Sequence, residues 1–558
     1  MDPAAPVAAR SPLDEQRRRV RVRVLAARVV LALGILGILA VLVRGLWTHL
    51  SLYRDVVPGL LPGSASSTLF VDSVVLLLMA RGLRRGHRLA WLVTVVVLLL
   101  TAGTHTARGV DVVPSVLVLA AAVWLATRWR SFPVLPTRRA VRRAVLLLLL
   151  LVAAWVLAIV ALVVVALRAD DPEAALDGGL ATTVAVVSTV VDLVVLVLVL
   201  WWLGSPREAR RLGPAEHREE RERARAVVER YGGGTLDYFA LRDDKDWFFV
   251  GRSVVAHSVR GGVCLVSPDP VGPPAEREAT WAEFLGHAAS SGWSLTVVAA
   301  AEDWLPVYER SGLRTVYLGD EATVDCTTFT LAGHAHKSLR QAVNRVARAG
   351  YTTTFHDPAT IDPALRDAIL AMSDESRRGE DERGFSMTLS RLFDPADTGL
   401  VLSVTRSAEG RVDAFCQWVP AAAIDGWSLD VMRRRTDADD VPNGLIDATI
   451  VATVAEVAAR GMRGLGLNFA VMREVLEGER DGRVDQLVRP VLRRLSEGTQ
   501  MATLSSFNDK FDPSWTPRYV VLDSAEYTAA QALVLAGAEG VTEIPVVGRF
   551  LRGVGTAP

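Results

Sequence analysis

Six apolar segments separated by short polar stretches dominate the first 203 residues of the chain. They lie near residues 24–43, 66–81, 89–103, 112–127, 144–167 and 180–203. Since a helix needs ~20 apolar residues to cross a bilayer, the first, fifth and sixth segments are long enough to span, and the other three are shorter. The pattern predicts a multi-pass α-helical membrane domain of about six transmembrane helices over residues 24–203.

Arginine clusters predict the orientation of this domain. They precede the first segment and follow the second, fourth and sixth, whereas the intervening loops carry few arginines. Because cytoplasmic loops are enriched in arginine and lysine, the N-terminal arm, residues 1–23, and the chain after residue 203 are expected in the cytoplasm. The expected location is the cell membrane.

Two carboxylates, Asp72 and Asp192, lie inside apolar segments. A carboxylate within a bilayer is costly, which makes a role in lipid or proton handling one interpretation. The other interpretation, which we favour, is that each carboxylate faces a helix partner or a shallow interface.

After residue 203 the pattern becomes that of a soluble protein. Residues 204–234 form a charged linker, predicted to be helical from Ala215 and to present a solvated face. From residue 235, beginning with TLDYFAL, short β-rich runs alternate with helices. The alternation restarts near residue 326, which predicts two similar α/β units with mixed sheets, residues 235–325 and 326–525, and then a C-terminal helix and tail, residues 526–558.

Bulk composition agrees with this division. The chain has 558 residues, 62 basic and 62 acidic side chains, and a mean hydropathy of +0.27. This length is too great for one hydrophobic core. The three cysteines, Cys264, Cys326 and Cys416, are too scattered for a disulfide framework or a Cys-based zinc site, so we expect buried thiols.

The segment HKSLRQAVNRVARAGY, residues 336–351, has the periodicity of an amphipathic helix. One stripe carries Lys337, Arg340, Asn344 and Arg348, and the opposite stripe carries apolar residues. A one-sided basic helix can face a polyanion such as the acceptor end of tRNA, or a phosphate headgroup. The alternative is an ordinary solvated basic surface.

The strand DGWSLDVMRRR places Asp430 and Met432 on one face, and Val431 and Arg433 on the other, if its alternation is regular. An acid and an arginine near a strand end can bracket a polar substrate, and they can equally form a structural ion pair. We expect Asn443 to cap the helix that follows.

The segment FNDKFDPSWTPRYVVL concentrates Lys510, Trp515 and Arg518 around two prolines and leads into a strand. Cationic and aromatic side chains on an ordered loop suit a phosphate or the ribose–base end of a nucleotide. The alternative is an edge loop with solvated charges.

Several common catalytic motifs are missing from the sequence, namely the P-loop, the G-x-S-x-G elbow and the H-E-x-x-H zinc helix. Gly464-x-Gly466 matches part of the pyrophosphate-binding loop of acetyl-CoA-dependent acetyltransferases. However, Gly461 stands where that loop has Gln or Arg, and the segment leads into a strand where the loop should open a helix, so the match to a CoA site is incomplete. His334 and His336 have no evident third ligand, which favours polar surface over a metal site.

Four motifs follow one another along the chain: HKSLRQAVNRVARAGY, LDVMRRR followed by VPNGLIDATI, GLGLNFA, and KFDPSWTPRYVVL. Together they resemble the catalytic domain of the lysylphosphatidylglycerol synthases, the multiple peptide resistance factor type of phosphatidylglycerol lysyltransferase. DPVGP, residues 269–273, matches the first half of that domain. The resemblance covers residues 230–525 and implies tandem GNAT-like acyltransferase units.

The resemblance implies an integral-membrane enzyme that moves an aminoacyl group, with lysyl the expected one, from aminoacyl-tRNA to the glycerol hydroxyl of phosphatidylglycerol. This transfer would change membrane charge and resistance to cationic peptides. It exchanges one ester for another, so no cofactor is expected, but it requires an oriented hydroxyl, a proton acceptor and donors for an oxyanion.

Site residues are assigned on this basis. Asp430 is the expected proton acceptor or anchor for the α-ammonium, and Arg433 the expected partner of the lipid phosphate or of developing charge. The expected substrate-binding residues are Lys337, Arg340, Asn344, Arg348, Asn443, Asp447, Lys510, Trp515 and Arg518.

The resemblance has two departures. Full-length relatives carry more spans, including a flippase module, and some actinobacterial relatives append a lysyl-tRNA synthetase, which nothing after residue 525 resembles.

Two other functions stay open. One is a membrane-anchored GNAT-type transferase with another acceptor, such as diacylglycerol or a peptidoglycan precursor, or with an acyl-CoA donor. The other is a non-catalytic lipid-binding protein.

Overall fold

The computed structural model describes residues 12–49, 64–107, 112–168, 179–377, 384–435, 440–471, 473, 505–523 and 528–539. Two compact units divide the chain. The first, Met1–Glu208 with Leu285–Ser294, is helical, and the second, Ala209–Phe284 with Leu295–Pro558, contains the β-sheet.

Long helices in the first unit coincide with the six apolar segments. They are α1 (Pro12–His49), α2 (Ser64–Arg84), α3 (Arg88–Ala107), α4 (Val112–Ala126), α5 (Arg138–Arg168) and α6 (Gly179–Leu203). Within the described residues, one stretch, Arg138–Ala161, is long and apolar enough to cross a membrane, and Arg88–Leu99 and Val190–Leu203 are shorter apolar stretches. The helical character of the segments is confirmed, whereas multiple crossings of a membrane stay a prediction.

Apolar side chains on α5 are largely exposed. Leu149, Leu150 and Leu157 are 60%, 67% and 70% exposed, a surface that would be costly in water. Asp192 accepts a hydrogen bond from Trp155 Nε1 at 3.0 Å, so the helix-partner interpretation of this carboxylate is confirmed. The side chain of Asp72 lies outside the described residues.

In the part of the chain that the structure describes, one mixed sheet of eleven strands forms the framework of the second unit. The strands are β1 (Asp246–Val250), β2 (Ser253–Arg260), β3 (Val263–Val266), β4 (Ser294–Ala300), β5 (Arg314–Asp325), β6 (Thr352–His356), β7 (Val401–Arg406), β8 (Val412–Ala421), β9 (Gly426–Arg434), β10 (Gly464–Val471) and β11 (Ser514–Leu522). Their order is β1-β2-β3-β4-β11-β5-β10-β9-β8-β7-β6. The α/β class with a mixed sheet is confirmed.

The helices that follow α6 along the chain complete the architecture. They are α7 (Pro214–Tyr231), α8 (Arg277–Ser291), α9 (Leu305–Arg310), α10 (Lys337–Arg348), α11 (Pro363–Arg377), α12 (Leu445–Ala459) and α13 (Thr528–Ala538). The start of the predicted second unit at residue 326 follows directly on the end of β5. However, β11 returns to lie between β4 and β5, so the sheet is continuous across that boundary.

The run TLDYFAL is a 3₁₀ helix, Asp237–Leu241, and the prediction of a β-rich run there is wrong. Tyr238 and Leu241 are buried together with the residues between them, so the segment has no two-residue alternation. The Asp237 carboxylate accepts the N–H groups of Gly233 at 2.8 Å and Gly234 at 2.7 Å. Such local bonds from an aspartate stabilise a turn in preference to an extended strand.

The predicted charged linker contains α7, one side of which packs within the α/β unit. Arg221 pairs with Asp243 at 2.5 Å and with Asp394 at 2.8 Å. Arg225 is 5% exposed and pairs with Asp397 at 3.0 Å. The predicted solvated face is present, because most of the other charged residues of α7 are exposed, whereas the two arginines named above are buried and partnered in the fold.

Burial of single polar groups also follows from this packing. Cys264, Cys326 and Cys416 are buried free thiols, as expected.

Asp269 of the DPVGP segment is 8% exposed and accepts the Tyr308 hydroxyl at 2.5 Å and the Ala301 N–H at 2.8 Å. Burial raises the pKa of Asp269 to about 7.

Asp269 is expected to make stability depend on pH. The pKa of Asp269 is higher in the folded state than its ordinary value of 3.8, so the protonated carboxyl group favours the folded state. This contribution to stability is complete below pH 3.8 and is lost as the pH rises through about 7. The free energy of unfolding therefore decreases over this range as the buried carboxyl group loses its proton. In Asp269→Asn, whose amide can serve both partners, the melting temperature of the purified full chain should fall less between pH 4 and 7 than in the wild type. Identical pH profiles would contradict the assignment.

Candidate active site

A cavity of about 430 Å³ lies in the α/β unit at the carboxyl end of β9. Four segments that are distant in the chain form its walls: the ends of β9 and α11, the first turn of α12, and the stretch before β11. The lining residues are Ser376, Met432, Arg433, Arg434, Asn443, Gly444, Leu445, Ile446, Asp447, Phe507 and Lys510.

The parallel pairing of β9 and β10 ends before the cavity. It extends only over Gly426–Ser428 and Gly464–Gly466, although both strands continue. A Cβ on Gly426 would lie 1.8 Å from the carbonyl oxygen of Gly464, so the strands approach closely because side chains are missing there. Gly464 and Gly466 therefore serve strand packing, and the strands part toward the cavity.

A β-bulge in β9 changes the face on which Asp430 lies. Gln417 of β8 is opposite Val431, and the next residue, Trp418, is opposite Leu429, so the register shifts at Asp430. Leu429 and Met432 consequently pack in the same hydrophobic cluster. The prediction that Asp430 and Met432 share a face is wrong, since a bulge interrupts regular alternation.

Asp430 is held in the interior of the α/β unit. Its carboxylate is 2% exposed and accepts the Leu389 N–H at 2.8 Å and the Gln417 amide at 2.6 Å. Gln417 also donates to the carbonyl of Arg391 at 3.2 Å. Asp430 is not among the residues that line the cavity. These contacts describe a positioning residue for the segment Leu389–Arg391, and its expected catalytic role stays a prediction.

The substitution Asp430→Asn separates positioning from chemistry. The new amide would face the Gln417 amide, so we expect a stability loss of about 1–3 kcal/mol, because a buried donor loses its acceptor. The melting temperature should fall, while the pH profile of transfer by the folded fraction should match the wild type. A loss of activity by about 10²-fold at an unchanged melting temperature would instead assign the proton-transfer role to Asp430.

The first turn of α12 forms one wall of the cavity. Gly444 precedes it with φ +92°, and a Cβ there would lie 2.6 Å from Cβ of Ala342 in α10. Arg345 of α10 also donates to the carbonyl oxygen of Asn443 at 3.1 Å. The capping position is Gly444 without a side-chain bond, so the prediction that Asn443 caps the helix is wrong. Left-handed backbone conformation there favours glycine.

Charge in the cavity is concentrated around Lys510. The ammonium of Lys510 lies 2.7 Å from the carboxylate of Asp447 and 4.8 Å from the ring centre of Phe507. The cavity also contains Arg433 and Arg434. Backbone N–H groups in the first turn of a helix lack intrahelical acceptors and carry partial positive charge. The arrangement therefore suits a phosphate or a developing oxyanion.

The amphipathic character of α10 is confirmed, with Leu339 and Val346 buried. Lys337, Asn344 and Arg348 are exposed on the opposite side. Arg340 is engaged locally, because its guanidinium donates to the carbonyls of Leu331 and Gly333. The start of α10 also approaches the cavity segment, since His336 Nδ1 lies 3.2 Å from the carbonyl oxygen of Lys510.

Trp515 and Arg518 do not line the cavity. The Arg473 guanidinium lies 5.0 Å from the ring centre of Trp515. Arg518 is 7% exposed, forms an ion pair with Glu321 at 2.5 Å and donates to the Thr235 hydroxyl at 2.6 Å. Both residues are on β11, and Arg518 stabilises the interior of the sheet.

Of the predicted residues, the cavity brings together Arg433, Asn443, Asp447 and Lys510. The sequence interpretation named Asp447 of the first turn of α12, but it missed Gly444 and the aromatic wall provided by Phe507. The signal for this glycine was present in VPNGLID, where a proline and a glycine both precede an apolar helix. Within the described residues, no group of three His, Cys, Asp or Glu side chains could hold a metal ion.

Known proteins resemble the part of the chain that contains the cavity. The family of the phosphatidylglycerol lysyltransferase C-terminal domain matches residues 225–522. The lysylphosphatidylglycerol biosynthesis bifunctional protein LysX of Mycobacterium ulcerans is 35% identical over 333 residues, 59% of this chain and 30% of that protein. LysX of Rhodococcus opacus is 33% identical over 331 residues, 58% of this chain and 29% of that protein.

The chain thus spans about 30% of the length of these curated relatives. The structure of L-PGS from Bacillus licheniformis matches with a TM-score of 0.51 and 24% identity, covering 57% of this chain and 96% of that one, which shows likeness in fold. The family match covers more than half of the 558 residues and includes the whole cavity. The chain therefore belongs to the family defined by the C-terminal domain of phosphatidylglycerol lysyltransferase.

Proposed function

We propose that the α/β unit transfers an aminoacyl group, lysyl by the names of its relatives, from aminoacyl-tRNA to a glycerol hydroxyl of phosphatidylglycerol. The observation that carries the proposal is the cavity in which the Lys510–Asp447 ion pair adjoins the first turn of α12. It lies within the residues that match the family.

The reaction exchanges one ester for another. The lipid hydroxyl oxygen forms a bond to the aminoacyl carbonyl carbon, and the bond from that carbon to the ribose oxygen of tRNA breaks. A proton leaves the lipid hydroxyl and ends on the ribose oxygen. The transfer therefore needs a group that accepts and returns a proton, and donors for the oxyanion that forms between the two steps.

The residues that line the cavity can supply these roles. We assign the proton transfer to Asp447, because it lines the cavity and Asp430 does not. Lys510, 2.7 Å from Asp447, would orient this carboxylate and hold it near the reacting hydroxyl. Arg433 and the N–H groups at the start of α12 would stabilise the oxyanion or bind the lipid phosphate.

The basic face of α10 is the proposed contact for tRNA. Lys337 and Arg348 are exposed on it. Arg345 donates to Asn443 at the cavity wall, which places this helix beside the site where the 3′ end would enter. A polyanion is attracted by such a face chiefly through its phosphates, with release of counterions.

Neutralising two charges on this face should weaken tRNA binding and flatten its dependence on salt. For Lys337→Gln with Arg348→Gln, the slope of log affinity against log salt concentration should fall by about 2, roughly 1 per charge. Filter binding of aminoacyl-tRNA to the full chain at several salt concentrations measures the slope. The exposed pair of variants Arg252→Gln and Arg310→Gln is the matched control. An unchanged slope in the α10 variant would mean that this face is ordinary solvated surface and does not bind tRNA.

The helical unit is the proposed membrane anchor, multi-pass and in the cell membrane, with the N-terminal arm and the α/β unit in the cytoplasm. The apolar stretch Arg138–Ala161 supports an anchor. The alternating arginine clusters of the sequence support the orientation. The acceptor lipid and aminoacyl-tRNA would both be accessible to the cavity in this arrangement.

Lipid extracts from a strain that expresses the chain test the proposed function. We expect a new ninhydrin-positive lipid whose headgroup mass equals phosphatidylglycerol plus one aminoacyl group, formed only with intact tRNA. Transfer that survives RNase and requires CoA would favour an acyl-CoA enzyme. A new lipid with another headgroup would change the acceptor. Absence of any new lipid, with membrane binding intact, would favour a non-catalytic protein.

A further inference from the structure

A second cavity, of about 530 Å³, lies entirely within the helical unit. The first turns of α1 and the connection between α4 and α5 form its walls. The lining residues are Asp14, Glu15, Arg18, Arg19, Val22, Thr127, Arg128, Arg130 and Ser131. None of them belongs to the cavity of the α/β unit.

The charge of this cavity suits an anion. Four arginines face two carboxylates, and Glu15 is already paired with Arg19. The guanidinium group presents a planar set of donors that matches phosphate oxygens in a bidentate manner. Arg18 and Arg130 are exposed at the rim, and Arg128 is half-buried. The chemistry therefore favours a phosphate ester.

Buried contacts hold the walls of the cavity in place. Arg23 is 6% exposed and donates to the carbonyl oxygen of Ser131. The following loop is tied to the α2–α3 turn, because Val134 donates to Gly86 at 3.0 Å and accepts from Arg88 at 2.9 Å. A site that is organised before the ligand arrives loses less entropy on binding.

Two exposed apolar stripes continue from the cavity along the helices. On α4, Val123 and Val116 are 54% and 56% exposed and lie on the same face as Thr127, at spacings of four and eleven residues. On α1, Leu25 and Val29 are 53% and 47% exposed and continue the face of Val22. A free phosphate would use only the cavity, whereas a lipid would also cover these stripes.

Aromatic residues mark the level at which the polar and apolar parts meet. The Arg128 guanidinium lies 5.6 Å from the ring centre of Trp124, and the Arg130 guanidinium lies 5.5 Å from that of Trp129. Tryptophan is enriched at the headgroup level of a bilayer. The cavity therefore lies where a lipid phosphate would be found.

We propose that this cavity holds the phosphate of an anionic glycerophospholipid, whose acyl chains lie along the exposed stripes of α1 and α4. The net positive lining discriminates against a lipid with a cationic headgroup, because like charges repel. The site does not depend on the reaction proposed for the α/β unit.

Phosphatidylmethanol is a suitable probe, because it is an anionic phospholipid without the headgroup hydroxyl that an acceptor needs. Native mass spectrometry of the purified full chain should show its retention, with weaker retention of phosphatidylcholine. In the double variant Arg18→Gln with Arg130→Gln, the affinity for phosphatidylmethanol should fall about tenfold more than in the control double variant Arg142→Gln with Arg143→Gln. The control arginines are exposed on α5 and do not line the cavity.

A steric variant tests the cavity without changing charge. Thr127→Trp should fill it and lower retention to a similar extent, with an unchanged melting temperature. Equal losses in the two arginine pairs would reduce the effect to diffuse attraction and overturn the proposal. Equal retention of phosphatidylcholine would also overturn it, as would complete displacement by millimolar inorganic phosphate. Aminoacyl transfer, assayed on the same variants, reports separately on the proposed reaction.

Discussion

Replacing Lys510 by methionine is expected to lower the rate of aminoacyl transfer by about 10²–10³-fold, the scale seen when one preorganised electrostatic group is lost from an active site. The substitution removes the ammonium that lies 2.7 Å from Asp447, a carboxylate that is 8% exposed. The side chain of Asp447, which belongs to the first turn of α12, would then lose its orientation. Incorporation of a labelled aminoacyl group into lipid by the purified full chain measures the rate, and Lys510→Arg should restore part of it.

The exposed ion pair Arg252–Glu276, 2.8 Å apart, is the matched control. It belongs to the same unit and does not line the cavity. Arg252→Met makes the same change in charge and should transfer at the wild-type rate. Single-turnover measurements separate chemistry from product release. Wild-type turnover in Lys510→Met, with the fold retained, would remove the ion pair from the mechanism.

Gly444→Ala is expected to have the second large effect, on stability and on activity together. With φ at +92°, any side chain is strained there, at a cost of about 1–3 kcal/mol. The new Cβ would also lie 2.6 Å from Cβ of Ala342, so α10 must shift away from α12. We expect a lower melting temperature and a loss of transfer larger than the loss of folded protein, because the shift opens the cavity wall and displaces the proposed tRNA-binding face.

Gly461→Ala isolates the backbone part of that effect. Gly461 lies just beyond the other end of α12, has φ +76°, and no atom lies within 4 Å of the position a Cβ would take. It should therefore show the strain alone, as a lower melting temperature with nearly normal transfer by the folded protein. Equal losses of activity in the two variants would mean that the contact between α10 and α12 has no part in the site.

These two predictions concern one structural junction. Helix α10, the start of α12 and the stretch before β11 meet there, as the bonds from Arg345 to Asn443 and between His336 and Lys510 show. In the proposed transfer, the lipid hydroxyl must reach the carbonyl carbon of the aminoacyl group that the tRNA carries. A site built where three segments join can present a different surface to each substrate while keeping the reacting groups together.

Much of this unit could be predicted from local sequence. The period of apolar residues was sufficient for α10 and α12 and for most strands, because burial of one face is encoded within each segment. The sequence also predicted some of the site residues correctly, because Lys510, Asp447 and Asn443, which stand on segments rich in proline, glycine and polar residues, line the cavity. The prediction failed where a single residue changes the local geometry, as the bulge at Asp430 does.

By itself, the sequence determined the division into an apolar helical part and an α/β part, the faces of the helices, and the family to which the residues from 225 to 522 belong. Only the tertiary structure decided which charges are available. The sequence proposed Arg340, Arg518 and Asp430 as site residues, as it did Lys510, yet the fold engages these three outside the cavity. The physical reason is that partners such as Glu321 for Arg518 lie 197 positions away in the chain, and no local pattern encodes such a pair.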